Sequence, residues 1–99
     1  MMASLVFIGA IGLTGNKKPA TVHAYRKRTI KNQYWEILLI ESKDKKILSE
    51  THLKKDGSII KTVNKPMSSE QAKAYKAENK DYLIERYQTD NSIFEGIDQ

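Results

Sequence analysis

Cysteine is absent from this 99-residue chain. That absence removes disulfide scaffolds, thiolate zinc sites, cysteine nucleophiles and thiol redox switching together, and it fits a cytoplasmic location, of the cell or of a host cell. Proline occurs twice and glycine five times, too few for a low-complexity or linker-like chain. Long hydrophobic runs are also missing. The longest, Leu5 to Leu13, is less than half of the roughly 20 residues that a membrane-crossing helix needs, so no membrane partner is expected. No Lys or Arg precedes that run and the small residues Ala10 and Gly12 fall inside it, which argues against a secretory leader. There is no Gly-Lys-Ser/Thr ending of a phosphate-binding loop and no helical His-x-x-x-His pair.

What the chain does have is one strongly apolar segment and an uneven charge. Residues 33–42, Gln-Tyr-Trp-Glu-Ile-Leu-Leu-Ile-Glu-Ser, are too short for a solitary helix and suit a strand buried on both faces. Trp35, Ile37 and Leu39 point to one side of such a strand, and Tyr34, Leu38 and Ile40 to the other. This is the expected central strand. Its length makes the chain one domain, expected to be strand-rich over 3–65, helical over 68–88 and an acidic tail over 89–99. The formal charge of +5 is concentrated: residues 1–65 carry thirteen Lys or Arg against five Asp or Glu, whereas residues 66–99 carry four against seven. Fourteen of the seventeen cations are lysine, which serves solubility more often than bidentate phosphate recognition.

Alternating apolar residues predict further strands on either side of that segment. Residues 3–14 form a first strand, bent at Gly9 and Gly12; residues 20–28 form a second, ending in Arg26-Lys27-Arg28 and joined to the central strand by a hairpin. Residues 47–54 and 58–63 form a second hairpin around Asp56-Gly57, where glycine meets the positive φ of a tight turn. Pro66-Met67-Ser68-Ser69-Glu70-Gln71 starts a helix, with Ser68 as N-cap, Gln71 reciprocating and Glu70 at the positive end of the helix dipole. Ala72, Tyr75, Tyr82, Leu83, Arg86 and Tyr87 follow at helical spacings and predict one face over 68–88, weakest at the polar stretch 78–81. The expected fold is α+β: an antiparallel sheet of about five strands with one C-terminal helix packed on it.

The chemistry-bearing residues are sparse. Gly9, Gly12 and Gly15 are spaced like a dinucleotide-binding fingerprint, but the third glycine opens no helix and no acidic residue sits at the required distance; no cofactor is expected. Glu50 and His52 share a strand face and form the best acid–base pair, yet no third group completes a catalytic or metal site, and Ser49 faces the opposite way. Enzymatic activity is therefore not expected. The third constellation is cationic: Lys17, Lys18, Tyr25, Arg26, Lys27, Arg28 and Lys31, with Tyr34 and Trp35 close by, are the candidate contacts to a partner.

Two functions follow as expectations. Apolar strand surface exceeds what one helix covers, which predicts a non-enzymatic protein that binds a protein partner through a sheet edge or face, a homodimer being one form. In its lysine, isoleucine and asparagine richness and its lack of motifs the chain resembles small phage and mobile-element proteins, many of which inhibit host factors; the likeness is one of composition and identifies no family. The alternative is RNA or single-stranded DNA binding through the basic, aromatic-interleaved sheet region.

Overall fold

A strand with apolar residues on both faces can leave water only if strands flank it and something covers each side. The computed structural model, which describes residues 18–97, builds that arrangement. Strands β1 (Pro19–Arg28), β2 (Tyr34–Ser42), β3 (Lys46–Leu53), β4 (Ile59–Pro66) and β5 (Leu83–Asp90) form one antiparallel sheet in the spatial order β4, β3, β2, β1, β5. The predicted central strand, β2, is the middle one. The predicted strand over residues 3–14 lies outside the described residues.

Register sorts the side chains onto two faces. On the first, Val22, Ile40 and Ile47 stand opposite one another across β1, β2 and β3. With Ala20 they are buried under Phe94, carried by a 3₁₀ helix at Asn91–Gly96, while Leu38, Ile93 and Ile97 pack at the margin. On the second face, Tyr25, Ile37, Leu39 and Leu48 are buried under Ala72 of α1 (Ser69–Glu78), with Trp35, Met67 and Tyr75 packed beside them. Each fully buried isoleucine or leucine contributes about 1.5–3 kcal/mol, so these two clusters carry the hydrophobic stabilisation. The outer strands contribute little, because β4 and β5 are exposed over almost their whole lengths. No helix among the described residues is long and apolar enough to cross a membrane.

The helix begins as its sequence predicts. Gln71 N donates to Ser68 Oγ at 3.0 Å and Ser68 N donates to Gln71 Oε1 at 2.9 Å, a complete capping box. It does not end as predicted. The expected helix over 68–88 stops at Glu78, and residues 83–88 belong instead to β5. Asn79 is the reason: its backbone N–H and its Nδ2 both donate to the Tyr75 carbonyl, at 3.0 and 2.9 Å, so the side chain occupies an acceptor of the last turn. A 3₁₀ turn at Lys80–Tyr82 then redirects the chain, and β5 pairs with β1 from Pro19 opposite Asp90 to Tyr25 opposite Leu83. The helix therefore precedes the last strand and is not the C-terminal element. Only Ala72 and Tyr75 of the predicted helical face lie on it.

Candidate functional site

The hairpin joining β1 and β2 sets where the basic residues go. Its loop is closed by Thr29, whose N and Oγ1 both donate to the Gln33 carbonyl at 2.7 and 2.8 Å, and by Asn32, which takes a positive φ of 59° that asparagine tolerates. Because β1 is extended, neighbouring residues leave on opposite faces. Arg26 and Arg28 thus share the face of Val22, while Lys27 shares that of Tyr25.

This alternation separates the predicted contact residues. Tyr25 is only 2% exposed and meets Tyr75 edge-on, with centroids 5.4 Å apart; it is a core residue and not a contact, because its ring lies under α1. Arg26 donates to Glu36 Oε1 at 3.1 Å and lies 5.6 Å over the Tyr34 ring, so its charge is already matched within the sheet. Arg28 donates to Asn32 Oδ1 at 2.9 Å, and with Lys31 it lines an open depression along the hairpin loop. Lys18 pairs with Asp44 at the other end of the sheet. Lys17 lies outside the described residues. Among the described residues, no single platform gathers them.

Nor do Glu50 and His52 form the predicted pair, although they share a strand face. Glu50 binds Lys65 at 3.2 Å, while His52 stacks on Trp35 with ring centroids 4.4 Å apart and planes 14° from parallel. His23 is buried beneath α1, where its Nε2 lies 2.9 Å from Glu41 Oε1, and Lys76 Nζ donates to that same oxygen at 2.8 Å. Burial holds the His23 pKa below the ordinary imidazole value, against the Glu41 contact that favours the cation, and Lys76 and Arg86 push the same way as burial. His23 is then neutral at pH 7 and its Nε2–H donates to the carboxylate. Burial opposes ionisation of Glu41 too, but the hydrogen bond and charge of Lys76, with the hydrogen bond from His23, outweigh it and lower its pKa. This trio fastens α1 to the sheet. Among the described residues, no three His, Asp or Glu side chains converge as a metal site.

No protein-family model, curated protein or solved structure matches this chain. Two features of the surface stand out that residue order does not show.

The first is β5. Among the described residues no strand pairs with its outer edge, and Leu83, Ile84 and Tyr87 are exposed along it, Ile84 to 57%. The second is a row of side chains crossing four strands on the α1 face: Lys27 stands opposite Trp35, Trp35 opposite His52, and His52 opposite Lys61. Neither is legible in residue order. The helical spacing of residues 82–87 disguised β5, and the row depends on two hairpin alignments that residue order alone leaves open.

Proposed function

We propose that this chain is a non-enzymatic binding protein, cytoplasmic in the cell or in a host cell, that acts by contact with a protein partner. The observation that carries the reading is the outer edge of β5, eight residues long and unpaired among the described residues. An exposed edge presents a row of backbone N–H and C=O groups to any extended segment, and proteins usually blunt it with lysine, proline or a bulge. The opposite edge is blunted: β4 contains Lys61, Lys65 and Pro66. Strand β5 contains neither lysine nor proline; its register slips once, at Ile84 between Leu83 and Glu85, but residues 85–90 pair with β1 without interruption, and Leu83, Ile84 and Tyr87 stand in water. It suits β-addition of an extended, apolar partner segment, with backbone hydrogen bonds supplying affinity and Leu83, Ile84 and Tyr87 supplying specificity.

A second copy of this chain is one such partner. Antiparallel self-pairing about Tyr87 places Arg86 opposite Gln88 and Glu85 opposite Thr89, so no like charges face each other. A small chain that acts by covering another protein's edge is an inhibitor by occlusion, which agrees with its compositional likeness to small phage proteins.

The test is affinity capture from the source cell, with and without nuclease, using the wild-type chain, an Ile84→Lys/Tyr87→Lys variant and an Ile59→Lys variant of the opposite edge. The expected result is a nuclease-resistant protein partner, or self-association in sedimentation, lost in the β5 variant and kept by Ile59→Lys. A partner held equally by the wild-type chain and the β5 variant, or nuclease-sensitive capture alone, overturns the reading.

A further inference from the structure

Carboxylates match cations on both faces of the sheet. On the Val22 face Arg26 is matched by Glu36 and packed on Tyr34. On the α1 face Lys65 is matched by Glu50 and Lys76 by Glu41. Two lysines of the α1 face are not treated so. Among the described residues neither Lys27 nor Lys61 meets a carboxylate; their ammonium groups lie over aromatic rings instead, Lys27 Nζ 5.5 Å from the Tyr75 centroid and 5.4 Å from that of Tyr82, Lys61 Nζ 5.8 Å from that of Trp35.

These two lysines end one cross-strand row, with Trp35 and His52 between them. Strands are about 4.8 Å apart, so the two lysine backbones stand about 14 Å apart across three spacings. The indole and imidazole between them are stacked and half-buried, and Tyr82 is exposed beside Lys27. His52 Nε2 has no hydrogen-bond partner among the described residues, so stacking on Trp35 is what places that ring. Two unmatched positive charges flanking a pair of planar rings complement a ligand whose negative charges alternate with planar groups. That alternation of phosphate and base is the chemistry of a single nucleic-acid strand.

We propose that the row formed by Lys27, Trp35, His52 and Lys61, with Tyr82 beside it, binds single-stranded nucleic acid, its phosphates on the two ammonium groups and a base against the exposed part of the aromatic pair. This site is separate from the β5 edge, and of the basic residues first expected to contact nucleic acid it keeps Lys27, with Trp35 from the aromatic residues interleaved with them. A duplex is a poor ligand, because its bases are stacked within the helix and unavailable to the rings.

Trp35 is the only tryptophan in the chain, so its fluorescence reports on this row directly. The experiment titrates the full chain with oligothymidylate and oligouridylate of about fifteen nucleotides, and with duplex DNA and polyglutamate as alternative polyanions. The expected result is saturable quenching by the single strands, weakening with salt at a slope in log K against log salt of about −1.4, the value for two phosphate contacts. Replacing both lysines, Lys27→Ala with Lys61→Ala, lowers the affinity about tenfold or more, whereas Lys65→Ala, a carboxylate-matched lysine two rows away on the same face, leaves it within about twofold. Circular dichroism checks that the variants keep the wild-type fold; if the double variant does not, Lys27→Gln and Lys61→Gln singly carry the comparison. Absence of quenching by single strands, equal binding of polyglutamate or duplex, or unchanged affinity in the lysine variants overturns the proposal.

Discussion

At the scale of single residues, the polar trio beneath α1 makes stability depend on pH. Neutral His23 donates to Glu41, Lys76 donates to the same oxygen, and Arg86 and Tyr25 line the surroundings. Both titrating groups have folded pKa values below their ordinary ones, near 6.5 for the imidazole and 4.5 for the carboxyl. In each case the unfolded chain takes up a proton at a higher pH than the folded one. The stabilisation is therefore complete above the unfolded value and is lost as pH falls through the folded value. Thermal melts should show a plateau above pH 6.5, a first decline below it from His23 and a second below pH 4.5 from Glu41. His23→Gln keeps a donor without the titration and should flatten the first decline only. Lys76→Met removes the charge that holds Glu41 ionised and should cost about 1.5 kcal/mol at neutral pH. Equal acid sensitivity in His23→Gln and the wild-type chain would show that the imidazole is not linked to folding. None of this trio is legible as a unit in the sequence, since 18 residues separate His23 from Glu41 and a further 35 separate Glu41 from Lys76.

At the scale of elements, legibility followed how local the physics is. The β2 run, the Asp56-Gly57 turn and the Ser68 capping box are each set by a few consecutive residues, and each stands where its sequence places it; Gly57 has a φ of 91°. The helix from 68 to 88 failed because spacings of three, four and seven are satisfied equally by one long helix and by a short helix followed by a strand. What decided between them was the Asn79 side chain, which ends the helix, and the chance for residues 83–90 to pair with β1, which is a tertiary gain. The same reasoning fixes how much the cap matters. A helix of only ten residues is below the length at which propensity alone sustains it in water, so its start depends on the cap and on packing of Ala72 and Tyr75. Ser68→Ala leaves Gln71 N without its acceptor and should cost about 1 kcal/mol in a denaturant melt. An unchanged midpoint would mean that packing against the sheet, and not the cap, sets where the helix begins.

At the scale of the whole molecule, the sheet is strong in the middle and weak at its rims. β1, β2 and β3 hold Val22, Ile37, Leu39, Ile40, Ile47 and Leu48 between the cover of α1 on one face and of Phe94 on the other. β4 and β5 hang on this slab chiefly through backbone hydrogen bonds to a single neighbour each. Local opening costs least where few apolar contacts break, so native-state amide exchange should be slowest in β2 and its two neighbours and faster in both outer strands. The asymmetry between those two strands turns this gradient into a test of function. If β5 is the edge that receives an extended partner, adding the partner or raising the concentration of a self-associating chain must slow exchange along residues 83–90 and leave β4 as it was. Mass spectrometry of peptides from the two strands reads both at once. Protection that rises in β4 instead, or equally in both, would place the contact elsewhere, because a sixth strand on one rim has no physical route to slowing the amides of the other without stabilising the slab between them.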